Sequence, residues 1–163
     1  MLEAAPQVLI ALEQSALGAA IRQSVWAYPV ANVGHILALT LFAGSVAIMD
    51  ARLIGVFAAV PPAQVVRPAR RLATAALALM LLTGATLFTA EASHVAMNPV
   101  FQIKAVLIGL GLANALLVAG PALRALDETP AHAPLPVRLR LSAVLSLAIW
   151  LSVAACGRLI AYF

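Results

Sequence analysis

Charge is what this chain lacks most. Only 10% of its 163 residues are Asp, Glu, Lys or Arg, against about 25% in an ordinary soluble domain. A water-facing globule must cover itself with polar surface, and this composition cannot supply it. With 64% hydrophobic residues and a mean hydropathy of +1.03, the chain reads as an integral membrane protein. Cysteine is nearly absent as well. The single Cys156 excludes an internal disulfide and any cysteine-based metal cluster within one chain. No basic stripe with interleaved aromatics occurs, which removes nucleic acid as a partner. The formal charge of +4 therefore bears on orientation. No Gly-rich phosphate loop, nucleophile elbow or HExxH pattern occurs either, so enzymatic activity is not expected.

What is present is apolar length. Four segments can cross about 30 Å of hydrocarbon at about 1.5 Å per residue: residues 26–49, 72–90, 101–119 and 141–159. Between them lie VPPAQVVRPARR, EASHVAMNP and GPALRALDETPAHAPLPVR, where proline and charge mark boundaries. The expected fold is an all-α integral membrane four-helix bundle, a single membrane domain over 1–163. Residues 1–24 are expected to form an N-terminal amphipathic helix lying on the outer headgroups, with Leu9, Leu12, Leu17 and Ile21 on one stripe. Trp26 and Tyr28 follow as interfacial anchors, and a break is expected around Ser24 to Pro29. The start, MLEAAPQVLIALEQ, has no basic n-region and no cleavage site, so it is expected to be retained.

Basic residues set the orientation. Arg52, Arg67, Arg70, Arg71, Arg124, Arg138 and Arg140 fall in the two long loops, and only Arg22, Lys104 and Arg158 fall on the other side. Both long loops are expected in the cytoplasm, with the N- and C-termini outside, in the periplasm.

The chemistry-bearing residues gather at the outer end. In YPVANVGHILALT, Tyr28, Asn32 and His35 share a helical face at spacings of four and three. A polar side chain inside a bilayer is costly unless partnered, so that face is expected to look into the bundle. His35 is open to three readings: a structural hydrogen-bonding residue, a ligand to haem iron or another metal, or part of a proton or quinone site. In EASHVAMNP, the carboxylate, imidazole and thioether of Glu91, His94 and Met97, together with His35, are a candidate copper set, since sulfur and imidazole suit Cu(I). An ordinary polar loop is the plainer reading. Lys104, the only lysine, and Arg158 either reach out to headgroups or help form a polar outer mouth with Glu91 and the Asn32–His35 face.

Depth bears on haem. His35 lies nine residues inside Trp26, roughly 13 Å below the interface. His94 sits at or beyond that interface and His132 on the opposite side. No histidine pair within one chain can clamp a haem at one depth. A haem would use His35 alone, a sixth ligand other than histidine, or His35 from two copies. In the third span, Gly109/Ala113 and Gly111/Ala115 repeat at four-residue spacing and are expected to serve close packing within the chain, or else between chains. Asn114 is expected to bond a neighbouring helix through Thr83 or Ser146.

Taken in order, SVWAYPVANVGHILAL, AIMDARLIG, LLTGATLF, NPVFQIKAVLIGLGLANALL and WLSVAACGRLIAYF resemble an uncharacterised family of small bacterial four-helix membrane proteins. The resemblance runs from about Glu13 to Phe163, and its most specific pieces include His35, Asp50 with Arg52, Phe101 with Lys104, and Gly157 with Arg158. It brings no activity. More loosely, the layout is similar to copper-resistance D membrane domains and to four-helix b-type cytochromes, which implies copper handling or haem-based electron transfer. The resulting expectation is a non-enzymatic subunit of the bacterial inner membrane that binds haem b or a quinone around His35. A copper-handling protein, and a structural or assembly subunit holding no cofactor, are the other readings. The partners expected are the lipid bilayer and either other membrane subunits or a second copy as homodimer.

Overall fold

A computed structural model describes residues 5–119, 123, 126 and 129–162. Among these the chain is helical throughout. Helices α1 (Gln7–Gln14) and α2 (Ala16–Gln23) precede the first long helix, α3 (Ala27–Ile54). Then come α4 (Pro62–Ala90), the short α5 (Ala92–Met97), α6 (Pro99–Ala113) and α7 (Val137–Leu159). From Asn114 to Ala119 the end of α6 widens into a π-helical turn. Helices α3, α4, α7 and α6 with its π-helical extension are each long and apolar enough to cross a membrane. Together they are the expected four-helix bundle.

Their boundaries differ from the hydropathy reading, and the reasons are local. Helix α4 begins at Pro62, ten residues before the apolar run at Leu72. Proline is tolerated in a first turn, whose N–H groups have no helical partner. The arginines of VVRPARR then project outward as one exposed, polar stretch of regular helix around Pro68. Helix α3 likewise continues past Met49 to Ile54, where Gly55 ends it at φ 122°, a backbone conformation open to glycine.

The expected single N-terminal helix is two. Ser15 breaks it and caps α2, its hydroxyl accepting from Gly18 N at 3.1 Å and donating to Leu12 O at 2.6 Å. The chain break before α3 falls at Ser24 to Trp26, inside the expected window. Rather than resting on headgroups alone, this helix pair is fastened to the end of the bundle. The Ser93 hydroxyl and backbone N–H donate to the Glu13 carboxylate, and Arg22 donates to Ala90 O at 2.9 Å.

Inside the bundle, α3 packs along α4, and α7 lies between α3 and α6. Phe42 meets the Trp150 ring edge to face at 4.6 Å between centroids, in a layer with Val46, Ala73 and Ala76. A second apolar layer of Leu53, Val66, Leu126, Leu135, Leu139 and Ala143 closes the end bearing the long loops. Gly111 lies so close to Trp150 that an added Cβ would stand 2.8 Å from the ring, whereas Gly109 has open space around it. The small-residue spacing of α6 therefore serves packing within the chain at Gly111, and faces outward at Gly109.

Candidate functional site

His35 projects from α3 toward α4. The absence of a side chain at Gly84 lets the imidazole lie against that helix: a Cβ there would stand 3.3 Å from His35 Cε1. Nδ1 is 2.9 Å from Thr83 Oγ1. The Thr83 hydroxyl donates to its own helix, to Leu79 O at 2.7 Å, so its oxygen is left to accept. An acceptor facing Nδ1 assigns the proton to that nitrogen and leaves the Nε2 lone pair free. Histidines that bind metals or take up protons are commonly oriented in this way, one ring N–H tied to the protein and the other nitrogen bare.

Lys104 completes the arrangement. It is half-buried, and its Nζ would be 3.4 Å from a Cβ placed on Gly157 of α7. Of the two options open to this lysine, the inward one holds. Neither Glu91 nor any other carboxylate within 4 Å pairs with it among the described residues.

The remaining members of the expected mouth are dispersed. Tyr28 is half-buried, its hydroxyl 3.5 Å from Glu91 Oε1. Asn32 is exposed: it lies on the far edge of the stripe that buries Ala31, Ala38 and Phe42, so the expected Tyr28–Asn32–His35 face is split. Arg158 is exposed and occupied locally, its guanidinium 2.7 Å from the Tyr162 hydroxyl and 5.0 Å from that ring's centroid. Glu91 and His94 are exposed, and Met97, at the end of α5, is 38% exposed. Among the described residues no three His, Cys, Asp or Glu side chains gather as a metal site would require. The structure does not bring His35, Glu91 and His94 into one cluster. His132, as expected, lies at the opposite end, where its backbone N–H meets Ala58 O between the two long loops. Arg124, counted for orientation, lies outside the described residues.

Outside the membrane-spanning segments, one titrating group among the described residues is shifted. The Ser93 hydroxyl and backbone N–H, then Arg22 and His94, hold the Glu13 carboxyl below the usual glutamate range against a smaller opposing desolvation.

A second polar group lies deeper, toward the long loops, and the residue reading did not anticipate its core. Asp50 is 1% exposed, Ser146 of α7 is its hydrogen-bonding neighbour, and its Oδ2 has no partner. Arg52, also buried, donates from Nε and Nη2 to Val60 O at 3.0 and 2.8 Å, which pins the α3–α4 loop. Asn114 donates to Ser142 O at 3.0 Å and accepts from the Ser142 hydroxyl at 2.9 Å. It is the expected interhelical bond, but its partner is Ser142 and not Thr83 or Ser146. The signal for Asp50 was an acid at the end of an apolar run. Ending the span at Met49 placed it in the loop.

Four apolar helices with ionisable side chains turned into the bundle define a multi-pass membrane protein. The chain belongs to the family of unknown function DUF6644, whose family model matches residues 13–163. No curated protein and no solved structure matches the chain.

Proposed function

We propose that this protein is a non-enzymatic bacterial inner-membrane subunit that holds a quinone headgroup between His35 and Lys104. The observation that carries the reading is the pinning of His35 Nδ1 by Thr83, which leaves Nε2 a bare acceptor, in a bundle into which the Lys104 ammonium also turns, against Gly157. An acceptor beside a donor matches a reduced quinone, whose hydroxyl donates a hydrogen bond and whose oxygen accepts one. An oxidised quinone offers acceptors only and satisfies Lys104 alone. A bound quinone would supply two-electron, two-proton chemistry within the bilayer. Thr83 orients the acceptor, Gly84 gives the imidazole room, and Lys104 supplies positive charge. The excess of basic residues in the long loops supports a topology with both termini outside.

Haem b is the second reading, favoured by the same Nδ1–Thr83 bond, which is the support an iron-ligating histidine needs. It requires a sixth ligand, and His35 of a second copy is the one of matched depth. The detergent-purified protein, examined by visible absorption in oxidised and reduced forms and by extraction of bound quinone, separates the two. The quinone reading expects extractable quinone and no Soret band, with quinone lost in His35→Leu. A Soret band removed by the same substitution supports haem, and neither signal overturns both.

A further inference from the structure

The long-loop end of α4 carries a cavity unrelated to His35. It has a volume of about 660 Å³ and is lined along one face of α4 by Arg67, Arg70, Arg71, Thr74, Ala75 and Ala78. That volume falls within the roughly 300–1,000 Å³ of small-molecule sites. A second cavity, of about 360 Å³, adjoins it and shares Arg67 and Arg71. Arg67, Arg70 and Arg71 are all among the lining residues, and no carboxylate is among the described ones. The side chains of Arg70 and Arg71 make no hydrogen bond or ion pair with the described residues.

The order of these residues along α4 says what the cavity fits. The apolar run of α4 begins at Leu72. The arginines therefore stand at the headgroup level, and Ala75 and Ala78 lie one to two turns deeper, roughly 6–10 Å below Arg71. Charge at the surface and, past Thr74, the apolar Ala75 and Ala78 below it follow the layout of a phospholipid in its own leaflet. A soluble anion would use the arginines but leave the wall unoccupied. Basic pockets at this depth between helices are recognised sites for anionic headgroups, and the planar fork of arginine matches phosphate oxygens two at a time.

We infer that this cavity binds one anionic phospholipid, its phosphate held by Arg70 and Arg71 and an acyl chain laid along Ala75 and Ala78. The site stands independently of the cofactor at His35, on another helix face and at the other end of the bundle.

The test is native mass spectrometry of the full chain released from nanodiscs of phosphatidylcholine containing a minor fraction of phosphatidylglycerol. Wild type is expected to retain one phosphatidylglycerol per chain. Each guanidinium near an anionic surface is worth about a factor of five, so R70Q/R71Q is expected to retain about 30-fold less. Ala78 is exposed, so A78F fills the wall without touching the charges. It is expected to lose the lipid with its arginines intact, which keeps the test decisive if the arginine double variant does not fold. R138Q/R140Q removes the same charge at the start of α7 and is expected to retain the lipid. Equal loss in R138Q/R140Q would show diffuse attraction to the surface and overturn the site. So would displacement of the lipid by millimolar inorganic phosphate combined with an unaffected A78F, which would mark a free-anion site.

Discussion

Replacing Thr83 by valine removes one oxygen from the structure at nearly constant shape, and the consequence depends on where the His35 proton sits. In wild type the Thr83 oxygen accepts from Nδ1 at 2.9 Å because its own proton is committed to Leu79 O at 2.7 Å. In Thr83→Val the ring loses that acceptor. Interhelical hydrogen bonds between side chains in membranes are worth about 0.6 kcal/mol on average and about 1.7 at most. The bundle is therefore expected to lose no more than about 1–2 kcal/mol and to remain folded. The ligand should feel more, because the tautomer with a proton on Nε2 becomes accessible and that nitrogen then stops accepting. Loss of an orienting partner of this kind commonly costs about 10–100-fold in affinity at metal sites. A neutral hydrogen bond worth about 0.5–1.5 kcal/mol sets a lower bound of a few-fold for a quinol. The assay is the ¹⁵N spectrum of the His35 imidazole in detergent-purified protein. Wild type and Thr83→Ser are expected to show a protonated Nδ1 and a bare Nε2, and Thr83→Val a mixture. A wild-type ring protonated on Nε2, or a spectrum unchanged in Thr83→Val, refutes the reasoning.

Gly111→Ala is expected to destabilise by about 1–2 kcal/mol, since overpacking against Trp150 outweighs the gain in helix propensity, while Gly109→Ala, with open space, is neutral or stabilising by up to about 1 kcal/mol. Thermal unfolding in detergent followed by tryptophan fluorescence reads both, and equal effects would mean α6 is rotated from this register. Asp50→Asn is expected to leave that unfolding temperature unchanged or raised at neutral pH, because Oδ2 has no partner to lose; a large drop would reveal a partner for its charge. The Glu13 carboxyl is held low by Ser93, so its contribution to fastening α1 and α2 is full above the ordinary glutamate pKa and fades as pH falls through the depressed value. Protease cleavage between α2 and α3 is expected to rise in acid. That rise should shift toward neutral pH in Ser93→Ala and vanish in Glu13→Gln, whose protection no longer depends on pH.

The four spans were legible because twenty or so apolar residues have few other uses. Their ends were less so: composition cannot distinguish an arginine-rich loop from an arginine-rich first turn, and Arg67 to Arg71 proved to be helix. Ser15 was legible only in hindsight, as a cap that splits one amphipathic stripe into two helices. His35 was conspicuous as a polar residue in an apolar run. Its partner Thr83 was not, since 48 residues separate them and only the rotation of α4 against α3 brings them together. The same reason gave Asn114 the wrong partner: Ser142 and Ser146 lie one turn apart on α7, and helical spacing alone does not choose between them. Asn32 shows the limit of the face argument. A residue four places along lies about 40° around the helix, enough to turn it from the buried stripe to the lipid.

The most direct test of the central claim is equilibrium binding of a short-chain quinol to the detergent-purified protein, with the oxidised quinone as comparison and His35→Leu as control. The account expects saturable binding of one quinol per chain, weaker binding of the quinone, and at least tenfold loss in His35→Leu. Absence of saturable binding in wild type, or equal affinity in His35→Leu, would contradict it.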